Sequence, residues 1–161
     1  MKIFVTSDTH FNHKKIIEYT GRPFRTVEDM NEGIITKWNN KVGKEDLIIH
    51  LGDFALGNEK EVKNIKDRLN GTILLLSGNH DHKTIRKAGF LTIKGNLELG
   101  NLIFSHSPLT KKDIPRGFIN IHGHIHEKES LNGINVSVEK TNYEPLGLEE
   151  LKKISRAEVL I

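Results

Sequence analysis

Five short apolar runs in this chain stop abruptly, and each is followed within a few residues by aspartate, asparagine or histidine. The sharpest is Ile73-Leu74-Leu75-Leu76, which empties into Gly78-Asn79-His80-Asp81. Ile3-Phe4-Val5 leads to Asp8-Thr9-His10, and Leu47-Ile48-Ile49 leads to Gly52-Asp53. Leu102-Ile103-Phe104 leads to His106, and Phe118-Ile119-Asn120-Ile121 leads to Gly123-His124-Ile125-His126. Short continuous apolar runs bounded by turn residues read as buried strands. Polar groups delivered at the carboxyl ends of such strands lie where open α/β sheets build their sites. Whatever fold this chain takes must therefore bring these strand ends to one edge.

Helices fill the spaces between the early strands. Phe11 to Tyr19 reads as a short helix ended by Gly21 and Pro23. Thr26 followed by Asp29 has the form of an N-cap with an acid at the third helical position. Val27, Met30, Ile34, Trp38 and Val42 then recur at helical spacing, which predicts an amphipathic helix over 27–41 with Trp38 in the core. Glu59 to Leu69 is a further helix, stopped by Asn70-Gly71. A short one spans 82–88, with His82 at its start and Gly89 at its end. Leu97–Leu99 and Leu102–Phe104 flank Gly100-Asn101 as a hairpin. Ile134–Val138 is a later strand, Leu148, Leu151 and Ile154 mark a C-terminal helix, and Val159–Ile161 adds an edge strand. Pro108 to Gly117 is the most loop-like interval. The order is βαβα and then mostly β, which predicts an α/β protein whose sheet is parallel at first and mixed later.

Composition narrows the chemistry. The 161 residues suit one domain, taken as 1–161. With no cysteine, a disulfide framework and a thiolate metal site are both excluded. Any metal would be held by imidazole, carboxylate or amide, which favours harder divalent ions. The formal net charge of +3 makes an anionic substrate unsurprising and does not by itself indicate nucleic acid. No apolar run reaches the roughly 20 residues of a membrane span. The first strand begins at once, without a leader-like stretch, so the expectation is a cytoplasmic protein with no membrane and no obligate protein partner.

Nine histidines occur, most of them beside a strand-end motif. Histidine, aspartate and one asparagine at strand ends form a cysteine-free donor set large enough for two metal ions. Two ions about 3.5–4 Å apart need a bridging carboxylate and trap a water between them as hydroxide. Two divalent cations offset by two aspartates and a hydroxide leave a surplus of about one positive charge, which attracts phosphate. His50 and His122 alternate with apolar neighbours and read as strand-packed groups behind the site. Lys111-Lys112 with Arg116 reads as a solvated loop, and Tyr143 and Pro145 as either a turn or a cleft border.

Taken together and in this order, Asp8-Thr9-His10, Gly52-Asp53, Gly78-Asn79-His80-Asp81, His106 and Gly123-His124-Ile125-His126 resemble the five motifs of the calcineurin-like metallophosphoesterases. The resemblance implies a four-layer α/β/β/α sandwich of two mixed β-sheets flanked by helices, with a dinuclear site at the strand ends. It implies that Asp8, His10 and His126 hold one metal, that Asn79, His106 and His124 hold the other, and that Asp53 bridges them. It gives His80 a catalytic place beside the phosphate, oriented by Asp81. The implied reaction is in-line attack of a metal-bridging hydroxide on a phosphodiester, with a monoester as a further substrate. Manganese is the expected ion, with iron, nickel or zinc as alternatives. The expected partner is a phosphate ester such as a nucleotide, a cyclic nucleotide or a nucleic acid end.

The segment Thr9-His10-Phe11-Asn12-His13, with Arg22-Pro23-Phe24 after it, resembles a small bacterial and phage branch of that family. In this resemblance His13 and Arg22 contact substrate phosphate. Asn12 stands where the family has glycine, and Ser137-Val138-Glu139 replaces its glycine-containing run after Asn135. Two other functions compete: a catalytically inactive scaffold on the same fold, and a nucleic-acid-binding module. A dead scaffold should have lost ligands, whereas Asp53, Asn79 and His80 are all present. A binding module should show a basic run interleaved with aromatics, and the charge here is spread along the chain.

Overall fold

The computed structural model describes residues 1–81 and 83–158. The expected helix start at His82 and edge strand at Val159–Ile161 lie outside the described residues. The elements in chain order are β1 (Ile3–Thr6), α1 (Lys14–Tyr19), α2 (Val27–Lys41), β2 (Leu47–His50), α3 (Glu59–Asp67), β3 (Thr72–Leu76) and α4 (Lys83–Lys87). There follow β4 (Leu91–Ile93), β5 (Leu97–Leu99), β6 (Leu102–Ser105), β7 (Ile119–His122), β8 (Ile134–Asn135), β9 (Leu146–Gly147) and α5 (Leu148–Glu158).

Two mixed sheets carry the fold. The first has strand order β4-β3-β2-β1-β9 and the second β5-β6-β7-β8. In the first, β1 to β4 are parallel and β9 is antiparallel to β1. In the second, β5 pairs antiparallel with β6 across the expected hairpin, and β6, β7 and β8 are parallel. Each early crossover steps one strand along the sheet in the same direction, which puts the connecting helices on one face. Side chains alternate accordingly. Phe4, Ile48, Ile73 and Leu75 face the helices and pack with Met30, Ile34, Trp38, Val62, Ile65 and Ile85. Val5, Ile49 and Leu76 face the other way and meet Leu102, Phe104, Ile121 and Ile134 of the second sheet, with Leu148 and Leu151 of α5. The outward residues of the second sheet, including Asn120 and His122, are buried under loops: Leu109 N donates to Asn120 Oδ1, and the His122 ring meets Ser130 Oγ.

The helix ends are formed by local chemistry. Thr26 Oγ1 accepts from Asp29 N at 3.1 Å, as the sequence predicts. Asn58 and Glu61 form a reciprocal capping box on α3. Two expectations shift. The first helix begins at Lys14 rather than Phe11, because Phe11 pairs as an isolated parallel bridge with Ala55. Tyr143 is 7 % exposed and packs edge-on against Phe24, so it belongs to the core and not to a cleft border. Among the described residues no helix is long and apolar enough to cross a membrane.

Register places the site. Thr6 pairs with His50 and His50 with Leu75, so β1, β2 and β3 end on one row. Asp8, Asp53 and Asn79 follow just beyond that row. In the second sheet Ser105 pairs with His122, and His106 and His124 follow. A parallel bridge between Ser7 and Ser137 ties the two sheets at this same edge.

Candidate metal centre

Five of the eight described non-glycine residues with positive φ are candidate ligands: Asp8 (58°), His10 (48°), Asp53 (57°), His124 (70°) and His126 (53°). This left-handed conformation costs an L-residue about 1 kcal/mol or more, and such strain concentrates where a side chain must be aimed. The turns hold each other in place. Asp8 N donates to Gly52 O, His10 N to Asp53 O and Phe11 N to Phe54 O, zipping the first strand-end turn along the second. Gly52 and Gly78 sit back to back: a Cβ on Gly52 would lie 2.5 Å from Gly78 N, and one on Gly78 would overlap the Asp53 carboxylate. Asn12, in the place of the family's glycine, takes φ 64°, a conformation asparagine tolerates.

Two donor groups form. The ligand atoms of Asp8, His10 and His126 lie within 4.8 Å of one another, and so do those of Asp53, His106 and His124. Asp53 joins the groups, because its Oδ2 lies 3.5 Å from His10 Nε2 and 3.5 Å from His106 Nε2. Its other oxygen accepts from His80 N at 2.8 Å. Asn79 Oδ1 stands 2.8 Å from His106 Nε2, completing the second group.

Tautomers follow from the outer partners. His106 Nδ1–H donates to Leu51 O at 2.8 Å, so in the neutral ring Nε2 carries a lone pair. That lone pair faces Asn79 Oδ1, also an acceptor, and two acceptors at such a distance call for a cation or proton between them. His126 Nδ1–H donates to Glu139 Oε1 at 3.1 Å, which frees its Nε2 in the same way. Asp8 Oδ2 is held by His124 N at 2.8 Å and Ser137 Oγ at 3.0 Å. Asp8 Oδ1 and His10 Nε2, by contrast, are buried and have no hydrogen-bond partner. An unsatisfied buried polar atom is expensive, so these two fit a bound cation as donors left waiting for it. The residues present thus fit two divalent ions.

Electrostatics favour neutral imidazoles at His10 and His124. Burial, with Arg22 next, pushes His10 far below the ordinary histidine range. Burial also lowers His124, reinforced by His106. His126 moves the other way: burial opposes its charge, but the Glu139 carboxylate outweighs burial and raises it. Burial raises Asp8 above the usual carboxylate value.

The remaining expected residues divide. His80 is exposed, lines the cleft, and its ring lies 5.5 Å from that of His10. His13 lines the same cleft at 5.4 Å from His10, with Nδ1 buried and unpartnered. The cleft measures about 410 Å³ and is also lined by Tyr19, Thr20 and His124 to Lys128. Arg22 does not face it. The expectation that Arg22 contacts substrate phosphate gives way to a buried guanidinium, 4 % exposed, that donates to Asp8 O, Thr9 O and Glu139. Asp81 also differs from expectation. Its carboxylate accepts from the backbone N–H groups of Asp53, Phe54 and Gly78, which fixes the two turns and not the His80 ring.

Sequence reasoning passed over Glu139 and Ser137 as site residues, although the charged departure at 137–139 was the visible signal. It placed His50 behind the site, where the structure finds it fully buried. Gly52 N donates to His50 Nδ1, so Nε2–H donates to Thr9 Oγ1, whose hydroxyl donates to Phe54 O. That chain of bonds ties the Asp8 turn to the Asp53 turn.

Comparisons with known proteins agree with this geometry. The chain is 37 % identical over 164 residues to an uncharacterized protein of Methanocaldococcus jannaschii, covering 95 % of this chain and 90 % of that one. A solved structure of a protein of unknown function from Aquifex aeolicus superposes with a TM-score of 0.74 at 27 % identity, over 95 % of this chain and 98 % of its own. The nuclease MPE of Pseudomonas putida shares the fold, with a TM-score of 0.52 at 18 % identity over 77 % of this chain and 61 % of its own. The family model described as calcineurin-like phosphoesterase matches residues 1–160. With its motifs in order and their side chains gathered at one sheet edge, this chain belongs to the calcineurin-like phosphoesterase family.

Proposed function

We propose that the protein is a two-metal phosphodiesterase, with manganese as its working ion. The observation that carries this reading is Asp53 Oδ2, equally near a donor of each group, as a bridging ligand must be. When bound, such a pair of ions supplies Lewis acidity toward phosphoryl oxygens and a water acidified enough to attack phosphorus near neutral pH. The chain's own residues do the rest. Asp8, His10 and His126 hold one ion, Asn79, His106 and His124 the other. His80, at the mouth of the cleft, donates a proton to the leaving oxygen or stabilises charge on the phosphoryl group. His13, lining the same cleft, contacts a phosphate oxygen.

The diester preference is supported by the cleft's form. Asn79, His80 and His124 are exposed, so a phosphate there has room for a substituent on each side. The fold shared with a nuclease is consistent with a nucleotide or nucleic acid end as substrate. The reading is tested by stripping the protein of metal and reloading it with manganese, iron, nickel or zinc in turn. Bis-p-nitrophenyl phosphate and p-nitrophenyl phosphate are then compared. Turnover of the diester above the monoester, abolished by chelator, is expected. Failure to hydrolyse either ester with any of the ions would leave the inactive scaffold as the better reading.

A further inference from the structure

Behind the first donor group lies a buried ion pair that the reaction itself does not require. Arg22 and Glu139 are 117 residues apart, and their side chains are 0 % and 4 % exposed. Glu139 Oε1 accepts from Arg22 Nε at 3.0 Å, from Arg22 Nη2 at 2.7 Å and from His126 Nδ1 at 3.1 Å. Arg22 Nη2 also donates to Asp8 O at 2.7 Å, and Nη1 donates to Thr9 O at 2.8 Å. One guanidinium and one carboxylate therefore touch both stretches of chain that carry the first donor group: the turn bearing Asp8 and His10, and the ring of His126.

Stability is a poor reason for this pair. Replacing a buried ion pair by apolar residues is often neutral or stabilising. Glu139 Oε2, moreover, is buried with no partner, so half of the carboxylate goes unsatisfied. The second donor group has a different backing: His106 leans on the carbonyl of Leu51, a neutral backbone group. A carboxylate behind a metal-binding imidazole fixes its tautomer and orientation and strengthens it as a ligand.

We propose that Arg22 and Glu139 are positioning residues for the first metal position, and that they make it the tighter of the two. Glu139 holds His126 with its hydrogen on Nδ1, and Arg22 locks the turn that aims Asp8 Oδ1 and His10 Nε2. The inference rests on the reading that the two donor groups hold two ions. The test is a manganese titration of the metal-stripped full-length protein by calorimetry. The wild type should show a tight and a weak step. Glu139→Ala should weaken the tight step by about 10–100-fold, the scale of a lost outer partner, and leave the weak step unchanged. Glu139→Gln keeps an acceptor for both neighbours and should recover most of that loss. Nitrogen-detected NMR of the His126 ring should show the Nδ1–H form in wild type and Glu139→Gln but not in Glu139→Ala.

Equal weakening of both steps, an unchanged tight step, or a Gln variant no better than Ala overturns the proposal. Should Glu139→Ala fail to fold, Arg22→Lys, which keeps the charge but loses the fork that holds the Asp8 turn, decides instead: weakening confined to the tight step supports the proposal, and weakening of both steps or of neither overturns it. A wild type that binds two ions but hydrolyses no ester defeats only the functional reading. One that binds no manganese defeats both.

Discussion

The two donor groups are built from similar side chains but are set in different surroundings. Asp8 and His10 are 0 % and 2 % exposed, so water cannot satisfy their free atoms. Asn79 and His124 are exposed, and their donor atoms lie against His106 Nε2. The first group is buried at Asp8 and His10, whose orphaned Oδ1 and Nε2 each cost about 1–3 kcal/mol without an ion, and half-buried at His126. The second group is buried at the side chains of Asp53 and His106 and opens to solvent at Asn79 and His124. An ion in the first position should therefore be linked to folding, and an ion in the second to substrate and exchange.

The largest effect should come from removing what the groups share. Asp53→Asn should lower kcat at least about 10³-fold, the scale of a lost transition-state charge stabiliser, and weaken both steps of a metal titration. If only one step weakens, Asp53 is not the bridge. His80→Ala should lower kcat by about 10²-fold while both ions stay bound. Loss of an ion on metal analysis would make His80 a ligand.

The contrast between the buried Asp8 and His10 and the exposed Asn79 and His124 can be read by thermal unfolding. Saturating manganese should raise the wild-type Tm by about 5–10 °C, from an ion at 100 times its Kd and the usual entropy for this size. Asp8→Asn should remove most of that rise and Asn79→Ala only a minor part. Equal loss in both variants would mean that the two positions are equally coupled to folding.

The smallest effect concerns the hinge common to both groups. Burial, with His106 next, pushes His50 down to about 3 from its ordinary 6.5. The unfolded chain then binds a proton that the folded chain refuses. His50 thus favours the fold fully above pH 6.5, and that stability is lost as pH falls toward 3, at up to about 1.4 kcal/mol per unit. Urea unfolding of metal-free protein at pH 7 and pH 5 should show the fall, and His50→Gln should flatten it. An equal slope in the variant would assign acid sensitivity to other groups.

Most of this architecture was legible because each strand is an apolar run cut off by a polar cluster, and period and punctuation agree. What was not legible has physical reasons. β4 and β9 are three and two residues long, too short for any alternation to register. Arg22 read as a phosphate contact because nothing local marks a partner 117 residues away. Asp81 was given by the family resemblance as a support for His80, whereas here its carboxylate caps the N–H groups of neighbouring turns. Glu139 did stand out as a charge where the family has a glycine-containing run, but its contact with His126 depends on the Ser7–Ser137 bridge between the sheets.

The left-handed backbone at Asp8, His10, Asp53, His124 and His126 has an implication for anyone seeking a hardier protein. Glycine is the residue those five dihedral pairs would prefer, so relaxing them should favour the very replacements that erase the candidate metal donors. A heat-selected library screened without an activity requirement should drift toward glycine at these addresses. Thermal hardening and chemistry are opposed there, and improvement has to be sought elsewhere in the molecule.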